Sequence, residues 1–534
     1  MARVLRGRRT KPQQQRSLAT NVRRGAVWSF ASTLILRFTG IGITAIVARI
    51  LTPHDFGVFA VATTVFTIVS AIGEFGVTSC LARADLDVEV LAPTLWTISL
   101  ASSLLMAGVL YEFAGPISAS LGARDAAHPV QVMAIVMVLW GLSAVPTAQC
   151  VRDFKQGLFF FANALAFLPS TAVLLILAKH GDGAMAFAWS RVTAQGITCA
   201  VILIRVPKLH RPGMARGALS VLGRVGVPLA CANFVGYILQ NVDYALIGRF
   251  IGPVQLGTYV LAFNAASWAS TLLAGVLSTV CIPAFSRVKH DAVRLRAAMA
   301  DGIRVVTLIA APMCMIMAIL ARPFVLTLYG GRWASAAPVL SILAGYGMIS
   351  VVGVLFSNML AALGYSKFVL AVQLIWLAAL VPAMAIGVHE DGIVGAAVAH
   401  IVVIGPVVLP CYVFALKRAT GVRMSLLAWA AFPPLVAAAA AAGLAWYVAS
   451  RFDSPAIQLM TGVAAGGSLY AVMMVPQLIV LLMRGHPIPP RVKKVLVPYY
   501  RTGRTIGLPV GAPPQHRRPG RKAGRRRRVA GLHR

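Results

Sequence analysis

Fourteen stretches of about 20 apolar residues recur along this 534-residue chain, and stretches of that length leave few folds open. A helix of ~20 residues spans the ~30 Å hydrocarbon core of a bilayer, and inside hydrocarbon a helix satisfies its own backbone hydrogen bonds. The stretches lie near 26–48, 57–82, 92–111, 129–149, 158–178, 184–204, 225–248, 256–282, 302–321, 334–362, 368–388, 392–415, 426–449 and 456–482. They are continuous rather than alternating, which selects helices over the strands of a membrane barrel. Only 12% of the residues are charged and 58% are hydrophobic, with a mean hydropathy of +0.79. Soluble domains carry about 25% charged residues. The expected fold class is an all-α membrane protein of about 14 transmembrane helices, and water-soluble folds are excluded.

The formal net charge is +34. In a soluble chain such an excess suggests nucleic acid. Here the basic residues fall mostly between apolar stretches or at the two ends, so topology explains them and no nucleic acid partner is expected. With the N-terminus in the cytoplasm, 40 of the 49 Lys and Arg lie on the cytoplasmic side and seven on the other. One missed span would invert every later loop and erase that asymmetry. The connection carrying Arg83, Asp85, Asp87 and Glu89 dissents, although acidic residues weigh little in this rule. Both termini are expected in the cytoplasm of a multi-pass protein of a bacterial-type inner membrane. The basic segment 1–24 precedes an apolar run much longer than a signal-peptide core, so it is expected to be retained. The tail 483–534, rich in Pro, Gly and Arg, is expected to be a disordered cytoplasmic anchor drawn to anionic membrane lipid. Cys80, Cys150, Cys199, Cys231, Cys281, Cys314 and Cys411 form no CxxC or Cys/His cluster and read as small apolar residues.

Residues 44–62 (TAIVARILTPHDFGVFAVA) and 244–262 (YALIGRFIGPVQLGTYVLA) align without gaps at a spacing of 200. Ala45/Ala245, Arg49/Arg249, Pro53/Pro253, Gly57/Gly257 and Ala62/Ala262 are identical pairs. Arg, Pro and Gly at one shared spacing indicate duplication. Each copy reads as a helix end, a short external turn and the start of the next helix; Pro breaks the first helix and Gly permits a tight re-entry. Arg49 and Arg249 read as snorkelling anchors at the outer helix ends. The copies begin at the first and seventh spans, an even separation, so they share one orientation and should be related by an axis along the membrane normal. The expected organisation is a bundle over 25–206, a basic linker over 207–224, a second bundle over 225–416 and two added helices over 417–482, with a central cavity between like-oriented bundles.

The repeat lies within a wider set of segments: GEFGVTSCLAR, NVDYALIGRFIGPVQLGTYVLA with IPAFSRV, FVLTLYGGRWASAAPVLSILA and LAALGYSK. In order and spacing over about residues 25–370, the chain resembles the polysaccharide transporter branch of the multidrug/oligosaccharidyl-lipid/polysaccharide exporter superfamily. The resemblance implies a fold of twelve to fourteen helices of the MATE and MurJ type. It also implies movement of undecaprenyl-pyrophosphate-linked oligosaccharide repeat units, as flippase substrate, from the cytoplasmic to the periplasmic leaflet, with a polysaccharide polymerase and export proteins as possible partners.

A sugar hydroxyl that enters hydrocarbon without a hydrogen-bonding partner costs several kcal/mol, so a flippase needs a wet path lined by polar side chains. Polar groups inside spans are therefore the candidates. Arg37 lies near the middle of the first span, with Thr33 and Thr44 on its face. A guanidinium there suits a pyrophosphate or acidic sugar, or else a buried salt bridge to Glu74 in the second span. Arg191 and Gln195 share a face of the sixth span. In the seventh, Asn233, Tyr237, Gln240 and Tyr244 follow helical spacing beside Asn241 and Asp243, which suits a sugar-facing wall or hydrogen bonding between helices. Glu74 and Asp243 are the carboxylates placed inside spans and are the candidates for proton or sodium coupling.

GIGITA at 40–45 fits a dinucleotide fingerprint, but it falls inside a span and reads better as close helix packing. The sequence contains no phosphate-binding GxxxxGK[ST] and no HExxH, and the expectation is a non-enzyme without cofactors or metal. The competing readings are a multidrug or small-molecule antiporter of the same superfamily and, from another class, a membrane polysaccharide polymerase, for which the loops are short.

Overall fold

The computed structural model describes residues 39–73, 88–152, 156–206, 213, 227–268, 270–271, 285 and 291–485. The expectations placed on Thr33, Arg37 and Glu74 lie outside these residues. Two compact units are present, Met1–Tyr470 and Ala471–Arg534. The packing described below is that of the first; described residues of the second belong to the final turns of the last helix.

Every regular element among the described residues is helical. The first half contains α1 (Thr39–Ile50), α2 (Pro53–Gly73), α3 (Val88–Glu112), the short α4 (Ala114–Ser120), α5 (Ala127–Arg152), α6 (Gln156–His180) and α7 (Ala184–Arg205). The second contains α8 (Val227–Ile251), α9 (Pro253–Ala266), α10 (Ala292–Ile319), α11 (Ala321–Leu328), α12 (Ala336–Ala362), α13 (Ser366–Val403) and α14 (Leu409–Thr420). They are followed by α15 (Met424–Ala449) and α16 (Pro455–Gly485). Among the described residues ten helices are long and apolar enough to cross a membrane. The chain is thus a multi-pass membrane protein. One of the ten, the 55 residues of Ser366–Thr420, takes in two of the expected spans. Its helical path is interrupted at Asp391 (φ −126°) and Gly392 (φ 57°), the left-handed conformation that glycine adopts without strain.

Within the first half α2 packs on α3, α5 and α7, and α5 lies between α3 and α7. In the second, α12 is central, touching α9, α10, α13 and α14, while α8 packs along α13. The helix α15, placed by sequence outside the halves, packs along α10.

The halves meet where α2 lies against α8 and α9, and the duplicated segment forms the contact. Pro53 opens α2 and Pro253 opens α9, each at a position where a missing N–H leaves no helical bond unmade. A Cβ added at Gly57 would fall on the carbonyl oxygen of Pro253, and one added at Gly257 would fall on that of Pro53. The contact is reciprocal, as across a local two-fold axis. Sequence reasoning assigned Gly57 to a tight re-entrant turn. The structure corrects this: Gly57 and Gly257 both lie inside helices, and what excludes a side chain is the backbone of the other copy. Gly40 and Gly42, expected in a close helix contact, have no described atom within 4 Å of where a Cβ would stand.

At one end of the helices several connections gather. His54 Nε2 lies 3.3 Å from Asp125 Oδ2, the backbone at Gly122 lies against Gly248, and Gly183 lies against the Asp55 carboxylate. Arg332 donates to the carbonyl of Leu51 at 3.4 Å. Gly213, in the connection after α7, donates to Thr97 Oγ1 at 3.0 Å, in the first half of α3 and away from these connections.

Candidate functional site

Three groups of polar residues stand inside the helices, and the structure separates what the sequence had placed together. In α7, Arg191 is exposed and its guanidinium stands 5.9 Å from the ring centroid of Phe66. Phe66 lies thirteen residues into α2, roughly 20 Å along its axis at ~1.5 Å per residue. The charge is thus held over an aromatic face at mid-helix. Gln195, one turn on, donates to Ser143 Oγ of α5 at 3.4 Å. That bond joins two helices of the first half, so the two side chains have different surroundings despite their shared face.

The α8 stripe also divides. Gln240 is exposed, with its amide donating to Gly236 O at 3.3 Å, and Asn241 donates to Tyr237 O at 2.8 Å; both bonds stay within the helix. The side chain of Asn233 lies outside the described residues. Tyr244 turns away into an aromatic group, 6.3 Å from the Tyr259 ring and 6.0 Å from Phe263. Asp243 turns inward with it and is 2% exposed.

Around Asp243 the second half assembles a cluster that sequence reasoning missed. The Tyr259 hydroxyl of α9 donates to Asp243 Oδ2 at 3.3 Å, and the Tyr244 backbone N–H donates to Oδ1 at 2.9 Å. His400 Nε2 of α13 stands 3.6 Å from Oδ2, and His400 is 3% exposed. The Tyr346 ring of α12 lies 4.6 Å from the imidazole. Three helices of the second half, α8, α9 and α13, thus converge on one carboxylate, and α12 packs on the imidazole beside it. A signal for His400 did exist in the sequence: among ten histidines it alone falls inside an apolar stretch.

A third group joins the halves. Arg49 Nε donates to the carbonyl of Leu328 at 3.1 Å, and the same guanidinium reaches Thr327 O. These are unpaired carbonyls at the C-terminus of α11, where a cation also meets the negative end of the helix dipole. Arg49 therefore caps a helix of the other half instead of serving as the expected snorkelling anchor. The Trp333 indole N–H donates to Ala48 O at 2.7 Å, and its ring stands edge-on to Phe56 at 5.0 Å. The hydrogen bonds that Arg49, Arg332 and Trp333 make between the halves all lie at this one end.

Known proteins place this architecture. A family model described as "Polysaccharide biosynthesis protein" matches residues 46–338. The succinoglycan biosynthesis transport protein ExoT of Rhizobium meliloti is 27% identical over 469 residues, covering 85% of this chain and 93% of that protein. The lipopolysaccharide biosynthesis protein WzxC of Escherichia coli is 23% identical, covering 71% of this chain and 77% of its own. Among solved structures, the lipid II flippase MurJ in an inward closed conformation superposes with a TM-score of 0.64 at 14% identity, covering 83% of this chain and 97% of MurJ. That likeness shows a shared all-helical membrane fold.

Proposed function

Because the chain belongs to the polysaccharide biosynthesis protein family, whose model spans more than half of it, we propose that it flips lipid-linked oligosaccharide repeat units across the inner membrane. Cargo passes from the cytoplasmic to the periplasmic leaflet by alternating access, for assembly of exopolysaccharide, capsule or lipopolysaccharide. The polyprenyl chain stays in lipid while the glycan moves through a cleft between two like-oriented halves, 25–206 and 225–416. Both termini face the cytoplasm, and the gathered connections face the periplasm.

The observation that carries this reading is the joint between the halves at the end where the connections gather. A transporter closed at a single face holds its halves together there and is free to part them at the other, and Arg49, Arg332 and Trp333 supply such a closure. The exposed polar groups support it. Arg191 and Gln240 belong to α7 and α8, which both pack on α2. An Arg at the centre of a span costs about 2.5–3.5 kcal/mol on insertion scales, so a guanidinium kept at this depth suits a functional position on the path. A guanidinium also makes charge-assisted hydrogen bonds to a pyrophosphate. Arg37, Thr33 and Glu74 are proposed for the same path. No step here makes or breaks a covalent bond, so the chain acts as a carrier without cofactor or metal, handing its cargo to a polymerase and export proteins.

Deletion of the gene, with extraction of polyprenyl-linked glycans, tests the proposal. Complete repeat units should accumulate on lipid while surface glycan is lost. Normal surface glycan in the deletion strain would remove the assignment.

A further inference from the structure

We infer that Asp243 and His400 form a proton-binding pair that couples proton movement to the rearrangement of the second half. Asp243 accepts from Tyr259 and from its own following N–H, which leaves the side of Oδ2 toward His400 open for a further bond. His400 is buried, and among the described residues neither Nδ1 nor Nε2 has a hydrogen-bond partner. A buried polar atom without a partner is uncommon and marks a group with work still to do. The separation of Nε2 and Oδ2, 3.6 Å, is within ion-pair range and beyond hydrogen-bond range.

The charge balance fixes what the pair takes up. With the imidazole neutral, a carboxylate stands alone among Tyr244, Tyr259, Tyr346 and Phe263. One proton from the aqueous face, bound at Nε2, makes an imidazolium beside the carboxylate and leaves the pair without net charge. The helices around it add few other titratable groups. On α2 there is none between Phe56 and Gly73; α9 contributes Tyr259, α12 Tyr346, and α14 Cys411 and Tyr412, the latter beside Gly353 of α12, with Lys417 and Arg418 in its last turn. On α8, Tyr237 lies six residues before Asp243 and Arg249 is exposed at the far end, and on α13 Lys367 is at the start and His389, Glu390 and Asp391 are at the break. The donor set of one carboxylate, one imidazole and phenols suits a proton better than a hard metal cation, which prefers several oxygens.

The placement of His400 converts proton binding into movement. It lies on a short arm, 393–403, between the break at Asp391 and Gly392 and a π-helical turn, Ile404–Val408. Such turns interrupt the regular ladder and are common at functional positions. Protonation draws the arm toward α8, and α8 packs on α2 across the halves. Release of the proton at the opposite face completes the cycle; that last step rests on the alternating-access reading.

Hydrogen–deuterium exchange of residues 393–411 in the purified full-length protein, from pH 5 to 8 and corrected for intrinsic exchange, tests the pair. A single pH-dependent step in protection is expected, unchanged when NaCl is replaced by KCl and lost in His400→Gln and in Asp243→Asn. Tyr259→Phe removes a donor to the carboxylate, so it should retain the step and move its midpoint up by about one pH unit. Absence of the step, a step that follows sodium, its persistence in both His400→Gln and Asp243→Asn, or an unmoved midpoint in Tyr259→Phe would overturn the assignment. Should His400→Gln and Asp243→Asn fail to fold, the direction of the Tyr259→Phe shift decides. The flippase reading is judged separately by surface glycan in the deletion strain, so either proposal can fail alone.

Discussion

Trp333→Ala is the substitution that most directly loads the joint between the halves. Trp333 is fully buried, its ring packs on Phe56 at 5.0 Å, and its N–H bonds the carbonyl of Ala48. Truncation of a buried Trp costs about 3–5 kcal/mol. Both of these partners belong to the opposite half, so the stabilisation they provide exists only while that end is closed. A loss of about 3 kcal/mol changes an equilibrium by roughly two orders of magnitude, at 1.4 kcal/mol per tenfold. A closed state favoured by about 100-fold would then fall to near parity with the open one. Spin labels at Arg124→Cys and Ser335→Cys, both exposed near that end and on opposite halves, report the separation in a background lacking the native cysteines. The expected result is one short distance in the parent protein and an added longer population in Trp333→Ala. An unchanged distribution in a folded variant would refute the view that this contact holds the halves together.

Gly57→Ala and Gly257→Ala should each lower thermal stability by a similar amount, of order 1–3 kcal/mol, because each forces a Cβ into the other copy's backbone. The double variant should lose less than the sum, as both act on one contact; full additivity in thermal unfolding would argue against a shared joint. Arg191→Gln should reduce surface glycan export by about tenfold or more at unchanged protein level, the loss expected for a charge-assisted hydrogen bond, and wild-type export would remove Arg191 from the path. Arg37→Ala should abolish export with insertion intact, measured the same way. Reporter fusions after residues 215, 295 and 420 should all report cytoplasm, and a periplasmic signal at any of them would contradict the proposed orientation.

The helices were legible because hydrocarbon leaves so few options: length and apolarity located α5, α6, α7 and α12 within a few residues. The correspondence of residues 44–62 and 244–262 was legible from Arg, Pro and Gly at shared spacing. Its physical meaning was not, since the atoms that exclude a side chain at Gly57 belong to Pro253, far along the chain. Arg49 was misjudged for the same reason, as the carbonyls it caps are 278 and 279 residues away. Asp243 was found by its cost inside a span. The same rule applied to histidine would have found His400, whereas Tyr259 and Tyr346 look like ordinary core residues until the helices are assembled. Helical spacing overstated the α8 stripe: it put Gln240 and Tyr244 on one face, but Tyr244 packs into the second half while Gln240 is exposed.

Leaflet-resolved detection of the lipid-linked glycan after depletion of this protein tests the transport claim most directly. In spheroplasts treated with a membrane-impermeant glycan-modifying reagent, the accumulated repeat units should be protected, and re-expression should make them reactive. Intermediates that are already reactive in depleted cells would have crossed without this protein, and the account would be contradicted.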